Sequence, residues 1–273
     1  TVGTPKSKPK SPGGSVGGVQ HIAKLGLSAM ELGWVRSVRV SESTASKIKA
    51  AAAEGDVALS VHAPYYINLN ADEEEWPKSR ERLMDAARAG FLSGATDIVF
   101  HPGSYFERPP AEVLEKVLPR LEGCVQELRD EGNDVVLRPE TMGKGAMLGS
   151  LEDTLAMSAL EGVEPCLDFA HLHARPGDGS MNSYEEWMKV FEAYAEALGP
   201  DSLERLHCHF SGIEYTEKGE QNHLVIEESD FDLEGWLKAL QQAGVRGRLL
   251  CESPTLEEDA LIVQEAWQDL VSG

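Results

Sequence analysis

The segment Leu206-His207-Cys208-His209-Phe210-Ser211-Gly212 is a short apolar run that ends in histidines and leads into a loop. Such a run is typical of a parallel strand that is buried on both faces and presents functional groups at its C-terminal end. Because side chains alternate along a strand, His207 and His209 lie on the same face, with His209 nearer the end. The segment therefore predicts a strand that carries an imidazole to the rim of a parallel sheet.

The same pattern, an apolar run followed by His, Asp or Glu and then a loop, recurs five more times along the chain. Stretches of helical periodicity separate these runs, in about eight strand–helix units. This alternation predicts a TIM (β/α)8 barrel, with an open doubly wound sheet as the alternative. No G-x-G-x-x-G follows the first strand, which disfavours the open sheet. In a barrel the residues at the strand ends all meet at the C-terminal rim, where barrel active sites are built: His62, His101, Glu140, Asp168, His209 and Glu252.

The chain is expected to form one domain over residues 1–273, with residues 1–5 as the end of a first strand whose beginning is missing. Ser41 is expected to cap a helix. The further predicted strands are residues 29–32, 57–62, 97–101, 135–140, 165–168, 205–210 and 248–252. Helices are predicted over residues 16–25, 80–92, 113–128, 187–198, 231–243 and 256–270.

Composition excludes several classes of protein. No run of 18 or more apolar residues exists, so no membrane span is predicted, and residues 1–14 lack the apolar core of a signal peptide. The four cysteines have no C-x-x-C spacing, which disfavours zinc-ribbon and redox motifs. A formal net charge of −21 argues against a generally basic nucleic-acid-binding surface. A cytoplasmic monomer is expected.

Three further polar residues, His171, Gln221 and His223, lie in loops after the predicted strands. Mixed imidazole and carboxylate groups without a thiolate suit zinc or manganese. Nine candidate ligands exceed what one ion coordinates, so two or three ions with a bridging carboxylate are predicted. Clustered divalent ions activate water and stabilise attacking and leaving oxygens, which favours phosphoryl-transfer chemistry and supplies local positive charge.

Five segments resemble signatures of one enzyme family, in that family's order. The stretch Ser60-Val61-His62-Ala63-Pro64-Tyr65-Tyr66-Ile67-Asn68-Leu69 is similar to the third-strand motif of the endonuclease IV family of apurinic/apyrimidinic (AP) endonucleases. The resemblance implies a TIM barrel with three zinc ions that hydrolyses the DNA backbone 5′ to an abasic site in base-excision repair. The other segments are His101-Pro102-Gly103-Ser104, Pro139-Glu140-Thr141, Leu167-Asp168-Phe169-Ala170-His171 and Cys251-Glu252-Ser253-Pro254.

The resemblance also implies a role for each ligand. A metal-bridging hydroxide attacks phosphorus in that scheme, and Glu140 and Glu252 belong to the catalytic centre. Where the family has Asp-x-His, this chain has Gln221-Asn222-His223. A neutral glutamine is a poorer zinc ligand than a carboxylate, and Glu220 is the substitute if the loop shifts. The implied ligands are His62, His101 and Glu140 for one zinc, Glu140, Asp168, His209 and Glu252 for the second, and His171 and His223 for the third.

Duplex DNA containing abasic sites is the partner that the resemblance implies. Residues 34–39 match in position a family loop that enters the minor groove, and Arg36 and Arg39 are the candidates for contact. Ion pairing of these arginines with surface acids is the alternative. Tyr65 corresponds to a family tyrosine near the abasic site and Tyr66 stands beside it, since aromatic wedges stabilise kinked DNA. Packing of Tyr65 against the rim alone is the alternative.

Two other functions remain open. A sugar isomerase or epimerase on the related xylose-isomerase-like barrel uses one or two ions and carboxylate-rich ligands, whereas the His62 and His101 pair and the His223 loop favour the nuclease. A protein that binds damaged DNA without cleaving it is the third hypothesis, because Gln221 weakens the third metal site. His173 and His207 are expected to be structural.

Overall fold

Parallel strands alternate with helices along residues 1–272, the part of the chain that the computed structural model describes. The strands are β1 (Ala29–Gly33), β2 (Ala58–His62), β3 (Asp97–Phe100), β4 (Val136–Pro139), β5 (Cys166–Asp168), β6 (Leu206–Phe210), β7 (Gly212–Thr216), β8 (Gly219–Leu224) and β9 (Gly247–Cys251). The helices are α1 (Gly14–Lys24), α2 (Glu42–Gly55), α3 (Trp76–Ser93), α4 (Pro110–Asp130), α5 (Leu151–Met157), α6 (Phe169–Ala174), α7 (Tyr184–Leu198), α8 (Leu233–Gln242) and α9 (Glu257–Ser272).

The parallel strands close into a ring. Strands β1 to β4 pair in sequence order, and β6 lies between β5 and β9. A bridge between Glu140 and Cys166 joins the β4 side to the β5 side. On the opposite side Val2 bridges to Glu31, and its N–H donates to the carbonyl oxygen of Cys251 at 2.9 Å. The predicted TIM barrel is thus confirmed, and Val2 marks the position of the predicted first strand.

The predicted elements are found with shifted ends, the short helices α5 and α6 were not predicted, and one predicted loop differs. Ser41 caps α2 as predicted, because its hydroxyl accepts from the N–H of Thr44. The long loop predicted after His209 is instead the antiparallel hairpin of β7 and β8. Its sequence, residues 212–224, is polar on most positions and lacks the regular apolar alternation that marks a half-buried strand.

Alternation along the strands determines what fills the barrel. Residues two positions apart on one strand share a face, so the strand-end residues and those two positions earlier point to the axis. At the N-terminal end this interior holds the carboxylate of Asp97, which contacts the guanidinium groups of Arg138 and Arg248. The barrel interior is therefore polar in layers, with the rim as the uppermost layer.

Apolar packing lies outside the barrel wall. Aromatic rings of Trp187 and Phe191 on α7 and of Trp236 on α8 pack against Phe169, the first residue of α6. All four are essentially inaccessible to solvent. No helix among residues 1–272 is both long enough and apolar enough to cross a bilayer.

Candidate metal centre

The side chain of Glu140 lies at the centre of the rim, and it is fully buried. Its Oε2 lies 3.2 Å from Nε2 of His62 and 3.3 Å from Nε2 of His101. Its Oε1 lies 3.4 Å from Nδ1 of His171 and 3.4 Å from Nδ1 of His209. One carboxylate therefore touches imidazoles that follow four different strands, as a bridging ligand does.

The predicted His, Asp and Glu ligands are all brought together. They form three overlapping groups, and within each group the ligand atoms lie within 4.8 Å of one another. Glu140 belongs to the first and second groups, and Asp168 belongs to the second and third. The groups are His62, His101 and Glu140; Glu140, Asp168, His209 and Glu252; and Asp168, His171 and His223.

Backbone carbonyl groups orient two of the imidazoles. The Nδ1 atoms of His62 and His171 lie 2.9 Å from the carbonyl oxygens of Ala63 and Thr141, respectively. A carbonyl oxygen only accepts, so Nδ1 of each ring carries a hydrogen, and Nε2 is the nitrogen with a lone pair whenever the ring is neutral. Each ring thus offers Nε2 as a ligand atom, in the arrangement that positions metal-binding histidines in other proteins.

Buried atoms without partners test whether these residues fit a metal. Glu140 Oε1, Asp168 Oδ2 and His209 Nδ1 are inaccessible and have no hydrogen-bond partner among residues 1–272. Leaving a buried polar group unsatisfied costs about 1–3 kcal/mol, and more when it is charged. All three atoms are good ligands for zinc or manganese and face the same small space, so the residues present fit a divalent cation.

Electrostatics point the same way. Burial by itself raises the pKa of Glu140, but the facing imidazoles, that of His101 first, outweigh it and hold the pKa well below its usual range. Burial lowers the pKa of His62, but the hydrogen bond to Glu140 outweighs burial and raises it to about 9. The buried carboxylate of Glu140 therefore stays ionised, as a metal ligand must be.

Glu31 is a buried carboxylate beside the centre that was not among the predicted site residues. Its Oε1 lies 3.0 Å from Nε2 of His209, and its Oε2 accepts from Ser60 Oγ at 2.6 Å and lies 3.1 Å from Nε2 of His207. Glu31 thus backs His209, whose Nδ1 faces the centre. The feature of the sequence that could have indicated its role is that Glu31 is a single acidic residue inside the apolar strand 29–32. His207, expected to be structural, touches Glu31 and stays below the rim.

The hairpin places Gln221 away from the centre. Glu214 pairs with Asn222, whereas the next residue, Tyr215, pairs with Glu220, so Gln221 is an extra residue in β8. Such a β-bulge redirects the side chains around it. Gln221 is exposed, and its amide donates to the carbonyl oxygen of Glu220 at 3.0 Å. The assignment of Gln221 to the metal centre is thus corrected.

Glu220 occupies the place that was assigned to Gln221. Its Oε2 lies 3.3 Å from Nε2 of His171 and accepts from the N–H of Gly143 at 3.0 Å. His223 stands beside it, with Nδ1 against the hydroxyl of Ser211 and Nε2 3.8 Å from Oε2 of Glu252. The bulge thus directs a carboxylate and an imidazole of β8 toward the same group.

The predicted DNA contacts lie on the rim beside the centre. The ring of Tyr65 stacks on His101 with centroids 5.0 Å apart, yet the residue is 50% exposed. Tyr66 is 65% exposed, and Arg36 and Arg39 are exposed as well. Neither arginine takes part in an ion pair within residues 1–272. Tyr65 therefore packs on the rim and also faces solvent, and the arginines do not pair with surface acids.

Comparison with known proteins gives one family and several relatives. A family described as xylose isomerase-like TIM barrel matches residues 19–270. An uncharacterized protein of Methanocaldococcus jannaschii is 36% identical over 252 residues, which cover 92% of this chain and 91% of the relative. Endonuclease 4 of Thermus thermophilus is 30% identical over 208 residues, 72% of each chain.

Solved structures show the same barrel. The crystal structure of an endonuclease IV from Thermus thermophilus superposes with a TM-score of 0.72 at 25% identity and covers 98% of both chains. A D-tagatose 3-epimerase-like protein superposes with a TM-score of 0.68 at 19% identity, covering 94% of this chain and 95% of its own. The second likeness concerns the fold alone.

Proposed function

The chain belongs to the xylose isomerase-like TIM barrel family, and from that premise we propose that it is a metal-dependent AP endonuclease. It hydrolyses the DNA phosphodiester 5′ to an abasic site. The observation that carries the proposal is the set of three overlapping ligand groups that share Glu140 and Asp168. A chain of sites joined by shared carboxylates suits two or three ions, and clustered divalent ions are what many phosphodiester-cleaving enzymes use to stabilise the attacking and leaving oxygens.

Zinc is the proposed metal, with manganese as the alternative. When bound, the ions supply Lewis acidity to water and to the phosphate oxygens. Glu140 would be a ligand shared by the first and second groups, and Asp168 would be shared by the second and third. His62 and His101 complete the first group, and His209 and Glu252 complete the second.

Among the carboxylates of the first two groups, Glu252 is the one that solvent reaches. Its side chain is 12% exposed, whereas that of Glu140 is fully buried. Its Oε1 lies 3.7 Å from Nδ1 of His209 and its Oε2 lies 3.8 Å from Nε2 of His223, between the second and third groups. We assign it the task of accepting a proton from the attacking water at Oε2 while Glu140 stays a ligand.

The third position is assigned to His171, His223 and Glu220. Glu220 supplies a carboxylate at this position, where Gln221 would have supplied a weaker, neutral ligand. It also disfavours the hypothesis of a protein that binds damaged DNA without turnover. Its contact with His171 supports the assignment.

Arg36, Arg39, Tyr65 and Tyr66 are the proposed DNA contacts. The two tyrosines present about half or more of their surface beside the first ligand group. Aromatic rings at this place are able to occupy the gap of a missing base. The arginines, free of protein counter-ions among residues 1–272, are available for phosphates or for the minor groove.

A cleavage assay tests the proposal. The purified protein is incubated with a duplex carrying one abasic site, with and without chelator, and metal is counted per chain by elemental analysis. We expect a single cut 5′ to the abasic site, its loss with chelator, and its recovery with zinc. Cleavage that ignores chelator would reject the metal centre, and isomerisation of a ketose with the duplex left intact would favour the sugar enzyme.

A further inference from the structure

A second binding site lies next to the rim and outside the metal ligands. A cleft of about 450 Å³ opens between the loops that follow β2 and β3. Cationic side chains of Arg82, Arg108 and Lys116 line it, together with the rings of Tyr66 and Phe106. In a chain with a net charge of −21, three cations around one cleft require an explanation.

The cations of the cleft contact neutral groups. Arg82 Nη1 donates to the carbonyl oxygen of Tyr66 at 3.1 Å, and Lys116 Nζ donates to that of Asn70 at 3.4 Å. Arg108 is exposed and forms no ion pair within residues 1–272. Burial, and after it the charges of Arg120 and Arg108, lower the pKa of Lys116. An anion in the cleft would relieve this repulsion.

Two acidic residues, Asp72 and Glu75, also line the cleft, and each already has a hydrogen-bond or ion-pair partner. Oδ1 of Asp72 accepts from the backbone N–H groups of Glu74 and Glu75 at 3.1 Å and 2.9 Å. The carboxylate of Glu75 pairs with Lys78 at 2.6 Å. Three cations face these two carboxylates, so the residues that line the cleft have one positive charge in excess.

The loop that carries Phe106 is held in an unusual conformation. Phe106 and Glu107 have φ angles of 51° and 58°, in the left-handed region that bulky residues rarely adopt. The amide of Asn70 holds the loop by donating to the carbonyl oxygens of Ser104 and Tyr105 at 2.9 Å and 3.2 Å. Phe106 is nevertheless 57% exposed. A strained backbone that presents an aromatic ring to solvent is typical of a ligand contact.

We propose that this cleft binds a backbone phosphate of the DNA that occupies the metal centre. Arg108, Lys116 and Arg82 contact the phosphate, and the rings of Phe106 and Tyr66 pack on the adjoining nucleotide. Tyr66 directly follows Tyr65, which stacks on His101, so the cleft continues the surface of the metal centre. The inference rests on the proposed function, because that function supplies DNA as the substrate.

A double variant, Arg108→Ala with Lys116→Ala, tests the site. Its matched control is Lys24→Ala with Arg246→Ala, which removes the same charge from two exposed positions at the opposite end of the barrel. Binding to undamaged and to abasic duplexes is measured by fluorescence anisotropy across a salt series, and kcat and KM are measured for cleavage. Each lost phosphate contact lowers the slope of log K against log salt by about 0.9.

For the test variant we expect the slope of log K against log salt to be lower by about 0.9 with both duplexes, because a phosphate contact carries no sequence information. We also expect KM to rise about tenfold with kcat unchanged. Unchanged binding, or an equal loss in the control, would overturn the inference. If the test variant loses duplex binding but neither the unchanged protein nor any variant cleaves DNA, the cleft is supported as a DNA-binding site and the proposed endonuclease activity is rejected.

Protection of Lys116 from an acylating reagent distinguishes binding of DNA from binding of a small phosphate. Duplex DNA is expected to protect its amine, and inorganic phosphate at the same phosphate concentration is expected to protect it far less. A protein that binds no duplex but is protected by inorganic phosphate would carry a site for a small phosphorylated molecule, which overturns the proposal.

Discussion

Replacement of Glu140 tests the role of the metal centre most directly, because it changes the shared ligand with little change in packing. Glu140→Gln keeps the size of the side chain and removes the charge that two ligand groups share. We expect the single-turnover rate to fall by at least about a hundredfold, since metal ions supply several kcal/mol of transition-state stabilisation and each 1.4 kcal/mol or so is tenfold in rate. Quenched-flow cleavage of an abasic duplex measures it.

Glu161→Gln is the matched control, because Glu161 is exposed and remote from the rim ligands. Its rate is expected to equal that of the unchanged protein. A Glu140→Gln variant with a normal rate and a normal metal count would show that the centre lies elsewhere.

Glu31 acts on the centre through His209. Glu31→Gln removes the negative charge behind Nε2 of His209, so the imidazole is held less firmly with Nδ1 toward the other ligands. Loss of such an outer partner typically weakens metal affinity about 10- to 100-fold. Competition with a zinc chelator measures the change, and Ser60→Ala, which touches Glu31 but not His209, is the control with a smaller effect.

At the scale of elements, the bulge in β8 decides which side chain reaches the third ligand group. Deletion of Gln221 removes the extra residue and leaves Glu220 two positions before His223, on the same face of the strand. We expect this variant to retain all its metal. Deletion of Glu220 leaves Gln221 in that place, and we expect one ion fewer per chain.

Elemental analysis after gel filtration distinguishes the two deletions, which are equal in length and lie in the same strand of the hairpin. Circular dichroism provides the check that both variants fold. An equal metal count in the two deletion variants would contradict the role of Glu220.

At the scale of the whole molecule, the ion cluster at the N-terminal end of the barrel stabilises the fold. Burial by itself raises the pKa of Asp97, but Arg138 and the other facing charges outweigh it and hold the pKa well below its usual range. Asp97→Asn breaks a buried pair, and we expect a loss of about 3–5 kcal/mol in the free energy of unfolding at pH 7.

The pH dependence of this loss has a definite sign. A carboxyl group whose pKa is lower in the folded state stabilises the fold above its unfolded pKa of about 3.9, and the contribution disappears as the pH falls further toward the folded value. The difference between Asp97→Asn and the unchanged protein should therefore be constant above about pH 5 and shrink below about pH 4. Urea unfolding in chelator measures it, with the exposed Asp134→Asn as control; a difference independent of pH would contradict the account.

Much of the centre was predictable because each ligand follows a strand. An apolar run ends, a polar residue comes next, and the alternation of side chains gives its direction, as at His62 and Glu140. A parallel barrel then brings all such ends to one rim. The hairpin was not predictable in this way, since a single extra residue changes which of Glu220 and Gln221 faces inward and leaves no periodic signal.

The amino-acid sequence by itself determined the barrel, the rim and eight of the residues that meet there, because those depend on local periodicity and on the order of strands. Only the tertiary structure decided that Glu31 supports His209, that Glu220 replaces Gln221, and that Arg108 and Lys116 share one cleft. These contacts join residues far apart in the chain, and their energies depend on distances that a linear pattern does not contain.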